Sequence, residues 1–272
     1  MKADMEARII GETASYAAVY KPPFMHTAPL REGEGGTLVE WFGVLFPPAL
    51  EIAGRKKIEG GLLHRLDFET DGLVLVAKNQ RAFDALMVQQ EEGRFVKEYG
   101  AVVFPRKECP PGFPPPPVFG DRIESLFRPY GKGRKAVRPV MAGREGVNGE
   151  KTAGERLYTT EIIGRADLGG LHYVRLRIRK GFRHQIRCHL AWTGTPILND
   201  TLYGPGYAAG GIVEKPGAVP ARRGLALRCE ALFFADPVSG GEREYRVAPL
   251  VFPSGLESEP LVTDRNFQAG GP

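Results

Sequence analysis

The sequence predicts a globular protein that contains both β-strands and α-helices. Residues 73–77 (LVLVA) form a continuous apolar run rich in β-branched residues, which is typical of a strand buried on both faces. Residues 80–92 carry apolar side chains at helical spacing and end before Gly93, a residue that favours a helix C-terminus. Residues 95–103 first alternate and then become apolar, which predicts another strand.

The elements before this region follow the same rules. Residues 8–20 (RIIGETASYAAVY) read as one or two short strands that end at Pro22 and Pro23, where pairing stops. Residues 37–46 have apolar side chains at helical spacing, and Pro47 stops the helix. After residue 157, strand signals return in LYTTEIIGR and in LHYVRLRIRKG, whose arginines alternate with apolar residues and predict a half-buried strand with a basic open face.

Residues 105–150 look the least structured. The segment is rich in proline and glycine, and its run Pro114–Pro117 favours a polyproline II conformation. The basic stretch 128–138 (RPYGKGRKAVR) is expected to be a surface loop.

Composition excludes several classes of protein. The 272 residues suffice for one large domain or two lobes, and shares of 42% apolar and 25% charged residues are ordinary for a soluble protein. Neither a membrane-spanning run nor the apolar centre of a secretion signal is present. The three cysteines are far apart and lack CxxC spacing, so neither a disulfide framework nor a zinc site is indicated, and a reducing cytoplasm is expected.

The positive charge is clustered. The net charge is +5, with basic residues concentrated at 128–138 and 175–187. Two local clusters suit a phosphate backbone better than an even scatter, so a nucleic-acid partner is expected.

A charged insert, His64–Gly72 (HRLDFETDG), lies between two apolar runs. Carboxylates and a guanidinium at the mouth of a buried strand cost desolvation free energy, so they indicate a pair or a functional site. The alternative is a simple turn, in which Asp67 or Asp71 accepts backbone N–H bonds and Gly72 takes a positive φ.

Several motifs resemble those of the RluA-type pseudouridine synthases. The matching segments are HRLD with x-x-T-x-G-L and V-A-K (64–78), K-x-Y (97–99), GFRHQIRCHLA (181–191) and GTPILNDTLYG (194–204); weaker matches are K-P at 21–22 and L-x-L-H-A at 225–229. Departures from the family pattern include Tyr20 for Asn, Asp71 for Ser, Phe182 for Arg or Lys, Arg228 for His, and Asp236 for the His of L-x-F-x-H-P at 232–237.

The resemblance implies a set of site residues. Asp67 would be the catalytic nucleophile or base, Tyr99 would pack against the target base, and Arg187 would be the cationic partner that keeps Asp67 ionised. The residues expected to bind substrate are Arg65, His64, Leu227, Arg183, Lys180 and Gln185.

The resemblance also implies an α+β fold, in which a bent, mixed and mostly antiparallel central sheet has flanking helices and a central cleft. One catalytic domain in two lobes is expected over 1–272, with its core at about 10–240 and no separate N-terminal RNA-binding module. The implied function is isomerisation of specific uridines in ribosomal or transfer RNA by a cytoplasmic monomer that needs no cofactor, metal or membrane. The chemical route stays open: Asp67 attacks the sugar, attacks the base, or removes a ribose proton.

Two other functions are considered. A catalytically silent RNA-binding or ribosome-assembly protein would share the fold and the basic surface, but would be free to lose Asp67, Tyr99 and Arg187. A glycoside hydrolase would pair Asp67 with Glu69 or Asp71. Such enzymes have acidic clefts with aromatic sugar platforms, whereas the segments expected to line the groove of this chain, 128–138 and 175–187, are basic.

Overall fold

A computed structural model of the chain describes residues 5–104, 121–141, 156–204 and 224–250. These residues divide into two compact units. The first unit contains residues 5–100, 178–184 and 224–250, and the second contains residues 101–104, 121–141, 156–177 and 185–204.

In chain order, the regular elements of the described segments are β1 (Arg8–Glu12), β2 (Tyr16–Lys21), α1 (Leu38–Leu45), β3 (Asp71–Ala77), α2 (Gln80–Glu92), β4 (Val96–Val103), β5 (Arg122–Tyr130), β6 (Ala136–Val140), β7 (Tyr158–Asp167), β8 (His172–Ile178), α3 (Gln185–Trp192), β9 (Leu227–Ala235) and β10 (Glu242–Arg246). Short 3₁₀ turns cover Pro47–Leu50, Lys57–Glu59 and Lys132–Arg134.

The first unit is built on a mixed sheet with the order β1-β2-β3-β9-β4, and β10 pairs with β9. Strands β2 and β3 are antiparallel and buried along their whole length. Strands β3 and β9 are parallel, with Asp71 opposite Arg228 and Gly72 opposite Cys229. Residues that are far apart in the sequence therefore become neighbours at the start of both strands.

Local sequence signals explain the helices of this unit. The Thr37 hydroxyl accepts a hydrogen bond from the Glu40 amide (3.2 Å) at the start of α1, and the Asn79 side chain accepts one from the Ala82 amide (2.9 Å) at the start of α2. Gly93 ends α2 in the left-handed conformation at φ 77°. The predicted helices at 37–46 and 80–92 are confirmed.

The second unit contains the antiparallel order β8-β7-β5-β6 and helix α3. Strands β5 and β6 form a hairpin in which Arg128 lies opposite Arg138. The prediction of a loop over 128–138 is therefore wrong, except for the turn at 131–135. The alternation agrees with a strand, because Ile123, Ser125 and Phe127 are buried while Glu124 and Leu126 between them are more exposed.

Helices together with a mixed sheet confirm the α+β fold class. The described helices include none long and apolar enough to cross a membrane. The expectations for Pro114–Pro117 lie outside the described residues.

Candidate active site

The HRLD segment leads towards β3 and is fixed to the core by the residues that precede Asp67. The Leu63 amide donates to the Leu75 carbonyl (3.0 Å), and Leu62, Leu63 and Leu66 are buried. The Thr27 hydroxyl bonds to both the carbonyl and the amide of Leu66 (2.7 and 3.1 Å). Since the backbone is held at residues 63 and 66, Asp67 has a defined position at the edge of the core.

Asp67 begins a short turn and remains accessible. Its carbonyl accepts a hydrogen bond from the Thr70 amide (3.1 Å), and 27% of its side chain is exposed to solvent. Gly72 follows at φ 118°, the positive φ that the simple-turn alternative expects of it. A carboxylate in this position is fixed by its backbone yet open to a substrate.

His184 approaches the Asp67 carboxylate. Its Nε2 atom lies 3.8 Å from Asp67 Oδ1, and its φ of 56° is unusual for a residue with a side chain. The sequence prediction did not include His184 among the site residues. The signal was present, because His184 is the histidine of the HQIR motif.

Lys21 binds the backbone of the same turn. Its ammonium is fully buried and donates to the carbonyls of Pro22 (2.8 Å), Met25 (2.9 Å) and Phe68 (3.4 Å). Burial lowers the Lys21 pKa to about 7, although the nearby carboxylates of Asp71 and Asp67 act in the opposite direction. Lys21 thus joins the K-P segment to the residue that follows Asp67.

Three departures from the family pattern meet in one buried ionic cluster, formed by Tyr20, Asp71 and Arg228. The Tyr20 hydroxyl donates to Asp71 Oδ2 (2.7 Å), and Arg228 donates to the same oxygen through Nε (3.0 Å) and a terminal nitrogen (2.7 Å). All three residues are buried. Because a buried carboxylate and a buried guanidinium each need a partner, these departures are explained as a matched set.

Tyr99 is a neutral, buried phenol. Burial raises the pKa of its hydroxyl well above the usual value, with further contributions from the Cys229 thiol, which shares a hydrogen bond with it, and from the Asp67 carboxylate. Burial also raises the pKa of the Cys229 thiol to about 12, so the thiol stays protonated. Leu227, at the start of β9, is 4% exposed, and its role as an apolar floor stays a prediction.

Lys97, the lysine of the K-x-Y motif, is buried in β4, two residues before Tyr99. Its ammonium has no hydrogen-bond partner within the described part of the chain and lies 4.9 Å from the centre of the Phe95 ring. Burial lowers its pKa to about 8.

The position of His64 favours a structural role over the predicted contact with substrate. Its Nε2 accepts a hydrogen bond from the Leu75 amide (3.3 Å), and its ring packs edge-on against Phe95. Burial lowers its pKa well below the usual value, so the imidazole is neutral. The histidine therefore anchors the HRLD segment to β3.

The predicted basic residues differ in exposure. Arg65 has a half-exposed side chain paired with Glu59 (3.0 Å), and Arg183 is also exposed. Lys180 is half-buried. Their availability at the surface is compatible with contacts to phosphate, but those contacts stay a prediction.

In the second unit, Arg187 and Gln185 lie in α3 and are buried. Arg187 donates two hydrogen bonds of 2.9 Å to the two oxygens of Asp200. The Oδ1 atom of Asp200 also accepts from the amides of Leu202 and Tyr203 (2.9 Å each), so the second long motif orients the arginine. Gln185 donates to the Thr159 carbonyl (2.8 Å), which favours a structural role for its amide. The predicted role of Arg187 towards Asp67 stays a prediction.

Candidate metal ligands are not grouped in the described segments, where no cluster of three or more His, Cys, Asp or Glu residues could hold an ion.

The geometry agrees with comparisons to known proteins. Residues 15–192 match the family described as RNA pseudouridylate synthase. An uncharacterised RNA pseudouridine synthase of Chloroflexus aurantiacus is 32% identical over 186 residues, which are 68% of this chain and 51% of the relative. Ribosomal large subunit pseudouridine synthase D of Vibrio parahaemolyticus is 25% identical over 89% of this chain and 67% of the relative.

Solved structures show the same fold at low sequence identity. The human RNA pseudouridylate synthase domain containing 4 has a TM-score of 0.61 and 17% identity, with coverage of 89% of this chain and 88% of the human chain. The human domain containing 1 has a TM-score of 0.58 and 20% identity, with coverage of 90% and 84%.

This chain spans about half to two thirds of the length of the curated relatives it matches. The family match itself covers more than half of the 272 residues. The HRLD turn, the K-x-Y tyrosine and the HQIR helix all lie within or at the edges of regular elements in this matched region. The chain therefore belongs to the RluA-type RNA pseudouridylate synthase family.

Proposed function

We propose that this protein isomerises specific uridines to pseudouridine in ribosomal or transfer RNA, with Asp67 as the catalytic residue. The observation that carries the proposal is the Asp67 turn: a carboxylate that is fixed by its backbone, partly exposed and 3.8 Å from His184. Preorganisation of this kind is what a catalytic group needs.

The reaction exchanges one bond to the ribose for another. The N-glycosidic bond between C1′ and N1 breaks, the uracil turns, and a bond forms between C1′ and C5. The proton on C5 leaves and N1 gains a proton, so the product has the composition of the substrate. Neither an oxidant nor a group donor takes part, which is why no cofactor is proposed.

Three residues of the first unit have a proposed part in this reaction. Asp67 attacks the sugar, attacks the base or removes a ribose proton, and the three routes remain alternatives. Tyr99 presents a neutral ring, because its raised pKa keeps the hydroxyl protonated. Leu227 supplies an apolar surface for the base.

Further elements of the proposal rest on the sequence motifs. Arg187 is the cationic partner of Asp67, and Arg65, Lys180 and Arg183 bind the RNA backbone. The protein acts as a cytoplasmic monomer with one catalytic domain, and the basic hairpin β5–β6 contributes to the choice of RNA.

The test is release of tritium from RNA that is labelled at C5 of uridine. Wild type, Asp67→Asn and the control Asp84→Asn, which changes an exposed carboxylate on α2, are compared on ribosomal and transfer RNA. We expect release by wild type and the control but not by Asp67→Asn, and the pool that responds identifies the substrate.

A second outcome would favour the alternative function. RNA binding by wild type without release from either pool would indicate a silent RNA-binding protein of the same fold. Release by Asp67→Asn at the rate of wild type would refute the role of Asp67.

A further inference from the structure

Two phenylalanines form an exposed aromatic pair beside Asp67. Phe68 directly follows Asp67, and Phe24 lies across from it with ring centres 5.9 Å apart and planes inclined at 68°. Each of the two residues is 42% exposed. The His26 ring packs against Phe68, with ring centres 4.6 Å apart.

This pair differs from the ordinary exposed apolar residues of the chain. Val44 and Val238 are more exposed, at 78% and 70%, but single exposed apolar side chains are normal and need no functional explanation. Phe24 and Phe68 are instead adjacent aromatic rings at the catalytic turn. Their placement therefore requires a reason.

The backbone under the pair is held in an unusual conformation. Phe24 has a φ of 61°, which is rare for a bulky residue and persists only when the surroundings impose it. The Phe24 amide donates to the Phe68 carbonyl (2.7 Å), and the same carbonyl accepts from Lys21. Lys21 also binds the carbonyls on either side of residues 23 and 24. The backbone of Phe24 is thus held against that of Phe68, the residue that follows Asp67.

We propose that Phe24 and Phe68 are a stacking platform for the unpaired base next to the target uridine. The inference rests on the proposed function and adds a nucleotide subsite to it. Adjacent residues are at most about 3.8 Å apart between Cα atoms, so the Phe68 ring begins close to the position of the reacting sugar.

The physical reason is the loss of stacking when the uridine leaves the RNA. A flipped nucleotide leaves its neighbour with one bare face, and enzymes that flip bases must offset that cost. Aromatic side chains stack on any base, because every base has a π-face. Arg65, two residues before Asp67 and half-exposed, is placed to bind phosphate in the same strand.

The test combines a change in the protein with a change in the RNA. The probe is a short synthetic fragment of the RNA that releases tritium, with an intact or an abasic nucleotide on either side of the target. Phe68→Ala removes one ring, and Phe24→Asn removes the other with a residue that tolerates positive φ. Phe68→Trp restores a stacking face, and Val44→Ala is the control on α1.

On intact RNA we expect Phe68→Ala to raise KM about tenfold, the size of one stacking interaction, with kcat within about twofold. When the abasic nucleotide replaces the neighbour that stacks on the phenylalanines, wild type and Phe68→Ala should have equal KM values. Phe68→Trp should behave as wild type on intact RNA. A tenfold effect that persists with either abasic flank, or a loss confined to kcat, would overturn the proposal.

A binding measurement separates this proposal from the proposed function. The Kd for a fluorescent ten-nucleotide oligouridylate should rise about tenfold in Phe68→Ala, and not for the corresponding abasic strand. Tritium release by wild type without any effect of Phe68→Ala in either assay refutes the platform alone. A tenfold loss of binding without tritium release by wild type refutes the catalytic function and supports the platform as an RNA site.

Discussion

The buried ionic cluster predicts strong coupling between Asp71 and Arg228. Arg228 donates two hydrogen bonds to Asp71 Oδ2, and the side chains are only 5% and 1% exposed. Removal of one partner of a buried ion pair costs about 3–5 kcal/mol of the free energy of unfolding, because the other charge is left without compensation. We expect about 3 kcal/mol for Arg228→Ala, since the Tyr20 hydroxyl still donates to Asp71.

The matched change tests the coupling. Asp71→Ser should also cost about 3 kcal/mol, because the buried Arg228 guanidinium would lose both of its hydrogen bonds to the carboxylate. The double variant Asp71→Ser/Arg228→Ala removes the buried carboxylate and guanidinium together. Its loss should be smaller than the sum of the single losses by at least about 2 kcal/mol.

Urea unfolding of wild type and these three variants at pH 7, followed by far-UV circular dichroism, measures this difference. Arg165→Ala is the control, because Arg165 pairs with Asp121 at the surface and should contribute less than about 1 kcal/mol. Additive losses in the double variant, or an Arg228→Ala loss no larger than that of Arg165→Ala, would refute the reasoning.

Three other predictions concern charge, acid stability and backbone space. Replacement of Arg134 and Lys135 by Ala at the β5–β6 turn should weaken RNA binding and flatten its salt dependence by about one slope unit for each phosphate that is no longer bound, measured by anisotropy; an unchanged slope would place the turn away from RNA. Burial lowers the His189 pKa to about 3, so wild type should lose stability as the pH falls below the unfolded value of about 6.5, by about 3 kcal/mol at pH 4. The His189→Gln variant should lack this acid-dependent loss of stability in urea titrations. A wild type and a variant that lose stability in parallel as the pH falls would contradict the prediction. Gly72→Ala should destabilise the protein by more than about 1 kcal/mol, because a Cβ there would overlap the Cys229 backbone; Gly240→Ala, with positive φ but open space, is the control, and equal losses would exclude the overlap as the cause.

Local patterns were sufficient for most elements of the fold. The apolar run at 73–77 and the helix at 80–92 follow from side-chain periodicity and capping, which depend on neighbours within a few residues. The β5–β6 hairpin was missed because Pro129 and Pro139 argue against strands. Pairing still forms, because Pro139 lies in β6 at the end of the sheet order, and Pro129 lies beyond Ser125, where the pairing of β5 with β7 ends.

The sequence by itself determined the motifs, the family resemblance and the identity of Asp67 as the candidate catalytic residue. Only the tertiary structure decided that Arg228, which looked like a departure outside the site, binds Asp71, and that His184 rather than His64 approaches Asp67. The reason is that these contacts depend on the parallel pairing of β3 with β9 and on chain reversals between distant segments. No local periodicity encodes which side chains such pairings bring together.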